Sequence, residues 1–482
     1  MADFVSLRPA GKSERRCIMR HALGYYRALI IAGRYTMPPA FDFGTKESFF
    51  PALKHCISTH PMLSAAIRGE LTEAPELVRP ATLDLSNHID IAAPISPSDR
   101  RQELEALKQP LRHAHDQQFQ HCDRIPPWKI IVVPTTTTAA AWILFSYSHS
   151  HGDGPSGLTF HRTLLAGLQH PPPSSPSPSP LFPPPSSPPL LPPLEASTPL
   201  PISWSYLLTP LLAAHLPETL SSLLGLRASA LPSLPGTWTA SPTAYAPPAF
   251  TTGLAFAVAD AATVRALLAR CRAREGVKLT GVLHALAVRA LSGALGREAA
   301  GAFAAQTAVD LRRLVVAADG VGAGDVGLCV SVAYHGFERD DGEGFGEGFW
   351  ERARGTTAAL RARAASLVDQ PIGLLAYLRS FRPWLEGQVG RVREASYEIS
   401  NVMAFEAGGG AGWDVDGVVF SQPANATGCP VCFSVVSMKG GDLVVALTWQ
   451  EGVLGVDGDE DAWARGVCGA LEESMKALAA GE

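Results

Sequence analysis

Between residues 171 and 200 close to half of the positions are Pro, most of the others are Ser or Leu, and charge is nearly absent. Backbone of this kind lacks the N–H donors of a helix or a central strand, so it reads as a polyproline-like or disordered connector that cannot join a sheet. A chain interrupted in this way splits into an N-terminal stretch, 1–170, a Pro/Ser-rich linker, 171–200, and a C-terminal stretch, 201–482. With 482 residues, 46% of them hydrophobic, both stretches are long enough to bury a core.

Forty Lys and Arg against 45 Asp and Glu leave a formal charge of -5, without the basic excess that coats a phosphate backbone, so no nucleic-acid partner is expected. The first thirty residues hold no apolar run of the roughly 7–15 residues that a signal peptide needs, and a cytoplasmic protein is expected. No stretch reaches the roughly 18 apolar residues of a membrane span. The nearest, 201–226, is Leu-rich but cut by Pro210 and Pro217. Its pieces are expected to pack on the protein's own core, with peripheral contact to an endoplasmic-reticulum or lipid-droplet surface as the alternative. Eight scattered cysteines read as reduced, and Cys429-Pro430-Val431-Cys432 lacks the second pair of a metal site, so its cysteines read as strand residues beside a turn.

Periodicity predicts helices over 48–58, 158–168, 261–274, 279–295 and 347–368, with Thr280 as an N-cap. Strands are predicted over 128–134, 138–148, 252–258, 304–309, 327–334, 418–420, 431–437 and 443–449. Strands and helices mixed without regular βαβ alternation point to an α+β fold with mixed sheets.

The sharpest local signal is Ser148-His149-Ser150-His151-Gly152-Asp153-Gly154, after a buried-looking strand and before a helix. Loops at strand ends are where a rigid scaffold presents reactive groups. A His there can serve as general base, since its ordinary pKa lies near neutrality. Asp153 can turn back into the protein and pair with a buried Arg, fixing the loop that carries His149, while Gly152 and Gly154 would supply unusual φ values. No Ser or Cys sits in a G-x-S-x-G context, so direct attack without an acyl-enzyme is expected.

His149-x-x-x-Asp153-Gly154 resembles the HxxxDG signature of CoA-dependent acyltransferases with the chloramphenicol acetyltransferase-like fold, the superfamily that includes condensation domains. Further blocks resemble the fungal alcohol acetyltransferase family: Glu14-Arg15 with Arg20-His21-Ala22-Leu23-Gly24-Tyr25-Tyr26, the helix from Phe49 to His60-Pro61-Met62-Leu63, and Leu279 to Leu286. Val309-Asp310-Leu311-Arg312, Ile399-Ser400-Asn401-Val402, Phe420-Ser421-Gln422 and Leu447 to Gly452 follow in order. The resemblance implies two subdomains, each a mixed sheet flanked by helices, with an active-site tunnel between them. It implies acyl transfer, acetyl first, from acetyl-CoA or another acyl-CoA to an alcohol or amine, by a monomer with no bound cofactor and no metal. His149 would be the catalytic base, Asp153 and Gly154 the frame of its loop, Arg312 the partner of Asp153 with Arg20 second, and Asn401 a donor to the thioester oxyanion. Met403 stands where the family usually has a small residue and is expected to narrow the pocket. The residues that hold CoA are not identified.

Two alternatives remain open in the sequence. A catalytically silent condensation-like protein would bind without turnover. A metal-dependent hydrolase would use His149-x-His151-x-Asp153 as HxHxD ligands, although no later His recurs beside a carboxylate at a strand end.

Overall fold

The computed structural model describes residues 4–39, 41–136, 139–170, 179–216, 234–319 and 324–481. Two mixed sheets form the body of the protein. The first runs Asp414–Ser421, Leu29–Thr36, Ala140–Tyr147, Trp128–Pro134 and Ile89–Ile91, with only the last pair parallel. The second runs Thr252–Ala259, Leu443–Gln450, Val431–Met438, Tyr397–Phe405, Ala302–Asp310 and Val330–Glu338, and Tyr397–Phe405 is parallel to both neighbours.

Strand alternation explains the layering. In Ala140–Tyr147 every residue is buried, as in a strand covered on both faces. Ala141, Ile143, Phe145 and Tyr147 pack on Leu53 and Ile57 of helix Phe50–Thr59 and on Leu158 and Leu164 of helix Gly154–Gln169. Trp142 and Leu144 point the other way, onto Leu104, Leu107 and Leu111 of helix Arg100–Asp116 and onto Leu254, Phe256, Val444 and Ala446 of the second sheet. On that sheet's far face Val445 and Leu447 meet the helices Ala261–Arg272, Leu279–Ala294 and Glu460–Ala480. The result is two helix-flanked mixed sheets, the two-lobed α+β arrangement that the resemblance implies.

Three expectations change. Strand Asp414–Ser421, from the C-terminal stretch, completes the N-terminal sheet, with Ser421 opposite Ile30, so the linker does not separate the two stretches at the level of the sheets. The Pro-rich segment itself packs where it is described. Leu181–Phe182 pairs with Leu83–Asp84, Leu85 donates its N–H to the Pro180 carbonyl at 2.9 Å, and Leu194 is buried in a short helix. The non-proline residues keep their donors and the prolines keep their carbonyls, which is enough for local pairing; residues 171–178 lie outside the described residues. Helix Trp204–His215 turns one apolar stripe outward: Trp204, Leu208 and Leu212, four residues apart, are exposed, and 217–226 lie outside the described residues. Among the described residues no helix is long and apolar enough to cross a membrane.

Candidate active site

Strand Ala140–Tyr147 delivers the motif loop to the space between the sheets. Ser148 donates its N–H to the Pro127 carbonyl at 2.9 Å, His151 closes a turn onto the Ser148 carbonyl, and the Tyr147 hydroxyl donates to the Asp153 carbonyl at 2.7 Å. His149, half-buried in this loop, lies with Nδ1 3.0 Å from the Gly152 carbonyl. A carbonyl only accepts, so Nδ1 carries the proton and Nε2 keeps its lone pair, free of any described partner. Burial first, and the Arg20 charge second, push its pKa down to about 4, so the imidazole is neutral at physiological pH.

Asp153 is the N-cap of helix Gly154–Gln169, accepting from the Ser156 N–H at 3.2 Å and hydroxyl at 2.8 Å. Its two oxygens also take a bidentate pair of bonds from Arg312, 2.7 and 2.8 Å, and one from the Cys329 N–H at 3.0 Å. Burial alone would raise this carboxyl, but the Arg312 charge and these donors hold it below the ordinary value. The guanidinium, 4% exposed, also donates to the Gly327 carbonyl. Asp153 therefore clamps the loop from one stretch of chain to Arg312 of the other, at no contact with the imidazole. Gly152 and Gly154 do not have positive φ; they supply space instead. A Cβ at Gly154 would collide with the Val402 side chain, which packs against this helix end.

His149 lines a cavity of about 350 Å³ walled by strands of the six-stranded sheet (Gln306, Val330, Tyr334, Glu398), by helix Lys12–Ala22 and by loops flanking the five-stranded sheet (Tyr26, Gln422). The Tyr26 hydroxyl donates to Gln422 Oε1 at 2.6 Å, the Gln422 amide donates to Glu398 Oε1 at 3.1 Å, and the Gln306 amide donates to Glu398 Oε2. Beyond the blocks that hold Tyr26 and Gln422, the sequence carried no signal for this chain of polar groups, because its members meet from four separate segments. Arg20, second choice as partner of Asp153, also lines this cavity and makes no bond to Asp153.

Asn401 is not on the cavity wall. Its amide donates to the Thr280 hydroxyl at 3.1 Å and its carbonyl accepts from the Met403 N–H at 2.9 Å, closing a bulge where the register with Val431–Met438 shifts. Met403 has φ 71° and is 65% exposed, so it turns to solvent and does not narrow the pocket. A Gly there would adopt this left-handed backbone with less strain than Met. Thr280 is inside helix Leu279–Ala294, whose N-cap is Lys278. His151 is fully engaged, Nε2 on the Ala65 carbonyl at 2.7 Å and Nδ1 beside the Ser150 hydroxyl at 3.0 Å. With His151 and the Asp153 oxygens so occupied, the HxHxD residues are not gathered as metal ligands.

Comparisons with known proteins agree with this architecture. No family model matches the chain. It is 23% identical to the probable alcohol acetyltransferase FCK4 of Fusarium pseudograminearum, over 96% of this chain and 95% of that one. It is 27% identical to the probable alcohol acetyltransferase crmB of Aspergillus fumigatus over 40% of this chain and 44% of that one. Its fold is that of the trichothecene 15-O-acetyltransferase TRI3 of Fusarium sporotrichioides, with a TM-score of 0.69 at 14% identity over 99% of this chain and 95% of the other. The condensation domain of the monacolin K polyketide synthase MokA gives 0.56 at 12% identity, over 99% and 98%. The resemblance to fungal alcohol acetyltransferases and the chloramphenicol acetyltransferase-like two-lobed fold thus both stand.

Proposed function

We propose that the chain transfers an acyl group, acetyl first, from a CoA thioester to the hydroxyl or amine of a small acceptor in the His149 cavity. The observation that carries this is the state of one imidazole. Nδ1 is committed to the Gly152 carbonyl and Nε2 is unpartnered on a ring that lines a cavity between the lobes. As the acceptor oxygen or nitrogen bonds to the thioester carbonyl carbon, its proton passes to Nε2. When the tetrahedral intermediate collapses, the C–S bond breaks and that proton goes to the departing CoA sulfur. The Gly152 carbonyl stabilises the imidazolium between the two transfers. Asp153 and Arg312 hold the loop, and neither needs to exchange a proton.

The full-length likeness to the probable alcohol acetyltransferase FCK4 supports an acyl-CoA co-substrate and favours a hydroxyl over an amine. The test is incubation of purified protein with acetyl-CoA and a panel of alcohols and amines, following free CoA thiol and identifying products by mass spectrometry. Acetylated alcohol with stoichiometric CoA is expected. CoA binding without release on any acceptor would select the silent binding protein, and absence of both would reject the proposal.

A further inference from the structure

Two arginines on helix Lys12–Ala22 line the His149 cavity without a hydrogen bond or ion pair among the described residues. Arg20 is 5% exposed, yet its guanidinium forms no hydrogen bond or ion pair with any described residue, and its Nε is buried without a partner. Its Cζ lies 4.3 Å from the centre of the Tyr26 ring, and that ring is 5.7 Å from the His149 ring, so the cation stands one aromatic ring away from the base. Arg16, one helical turn earlier and half-buried, is equally without such a bond among the described residues. Neighbouring Arg15 behaves differently, donating to the carbonyls of Ala10 and Glu73. Of the two carboxylates on the wall, Glu398 gives its oxygens to Gln306 and Gln422, and Glu394 is exposed at the rim.

A buried cation without a bonded partner carries a heavy desolvation cost: burial first and Arg16 second push Arg20 down to about 10, only partly offset by the Glu398 charge in the same cavity. Folds tolerate such local conflicts where a ligand resolves them. The phosphates of CoA are separated from its thioester by the whole pantetheine arm, whereas Arg20 is beside the point where the thioester reacts. An anion held here therefore belongs to the acceptor. We infer that the acceptor is a hydroxy or amino acid whose carboxylate is held by Arg20 and Arg16 while its hydroxyl or amine faces His149. This assignment rests on the acyl-transfer reading of the same cavity.

The experiment compares a ladder of straight-chain hydroxy acids with their methyl esters, as acceptors with acetyl-CoA and as ligands in calorimetric titrations, on wild type, Arg20→Met, Arg20→Lys and Arg16→Gln. Wild type should favour an acid over its ester by roughly 10–100-fold in KM and Kd, the scale of a charge-assisted hydrogen bond. Arg20→Met should erase that preference and leave ester and CoA binding unchanged, with an equal or higher melting temperature because a buried unpaired charge is gone. Arg20→Lys should keep part of the preference, and Arg16→Gln should weaken it. If Arg20→Met does not fold, loss of the preference in Arg16→Gln supports the assignment and its retention there overturns it. Three other results overturn it: wild type that does not distinguish acid from ester, an equal loss on acids and esters in Arg20→Met, which would put Arg20 on the thioester oxyanion, and weakened CoA binding with acetyl-pantetheine unaffected. If nothing is acylated, the acyl-transfer reading fails, and the titrations still decide whether the arginines hold a carboxylate.

Discussion

The two sheets are built from different materials. Behind the six-stranded sheet the packing is mostly apolar, Ala285, Leu286, Val288 and Leu291 against Val445, Leu447 and Phe433, with His284 bonded to Thr307 and Tyr397 among them. The five-stranded sheet is threaded with buried histidines, each bound to a fixed neighbour: His88 to the Trp128 carbonyl, His115 to the Ala28 carbonyl and the Ser421 hydroxyl, His161 to the Ile31 carbonyl and Tyr35. Seven histidines with depressed pKa lie in 1–170, namely 21, 60, 88, 115, 149, 151 and 161, against two, 284 and 335, beyond the linker. The lesson is a division of labour. One lobe pins a reactive loop among hydrogen-bonded histidines, and the other supplies a rigid wall and the clamp of Arg312, Gly327 and Cys329 on Asp153. Satisfied buried polar networks define a geometry more strictly than apolar packing does.

Breaking the clamp should have the largest effect on this arrangement. Asp153→Asn leaves Arg312 buried and half-paired, which costs about 3–5 kcal/mol, so melting temperature and activity should fall together. Adding Arg312→Met should restore part of the stability but not the loop. A variant that lost activity at full stability would place Asp153 in the chemistry instead.

Acid should separate the lobes next. Unfolded histidines take up protons near pH 6.5 and these folded ones only near 4, so between those values the unfolded state holds more protons and stability falls as pH falls. With seven such groups against two, amide exchange should open the five-stranded sheet first as pH descends through that window. Equal opening of both sheets would remove the contrast.

A smaller perturbation probes the contact between stretches. Gly154→Ala should cost about 1–3 kcal/mol through its collision with Val402, and Val402→Ala added to it should recover most of that loss in thermal unfolding. If the single variant is neutral, the strand bulge yields easily and the helix end is not fixed from across the lobes.

What could be read from sequence was what is local. Strand 140–147 and the motif loop follow from an apolar run ended by a Gly-containing turn; the need of a buried carboxylate for a cation gives Asp153 an arginine partner, and the resemblance carried by Val309-Asp310-Leu311-Arg312 indicates which one. The crossing strand Asp414–Ser421 was invisible as a crossing, since pairing partners across hundreds of residues leave no periodic trace. Strand Leu29–Thr36 went unread because Arg34 sits in its middle; only the fold brings Glu103 and Asp416 within 2.7 Å of that guanidinium. Asn401 was misplaced for a related reason: a Ser-Asn-Val string does not show which way a bulge turns the side chain.

The central claim is that one imidazole, His149, does the proton transfer on a frame that survives its removal. The direct measurement is acetyl-CoA turnover by His149→Ala and His151→Ala beside wild type, with CoA affinity and melting temperature taken on the same samples. The account predicts a loss of roughly 10²–10⁴-fold in turnover for His149→Ala at unchanged CoA affinity and nearly unchanged melting temperature. It predicts substantial retained turnover for whatever fraction of His151→Ala folds. A His149→Ala protein as active as wild type would contradict it, as would a folded His151→Ala protein as inactive as His149→Ala.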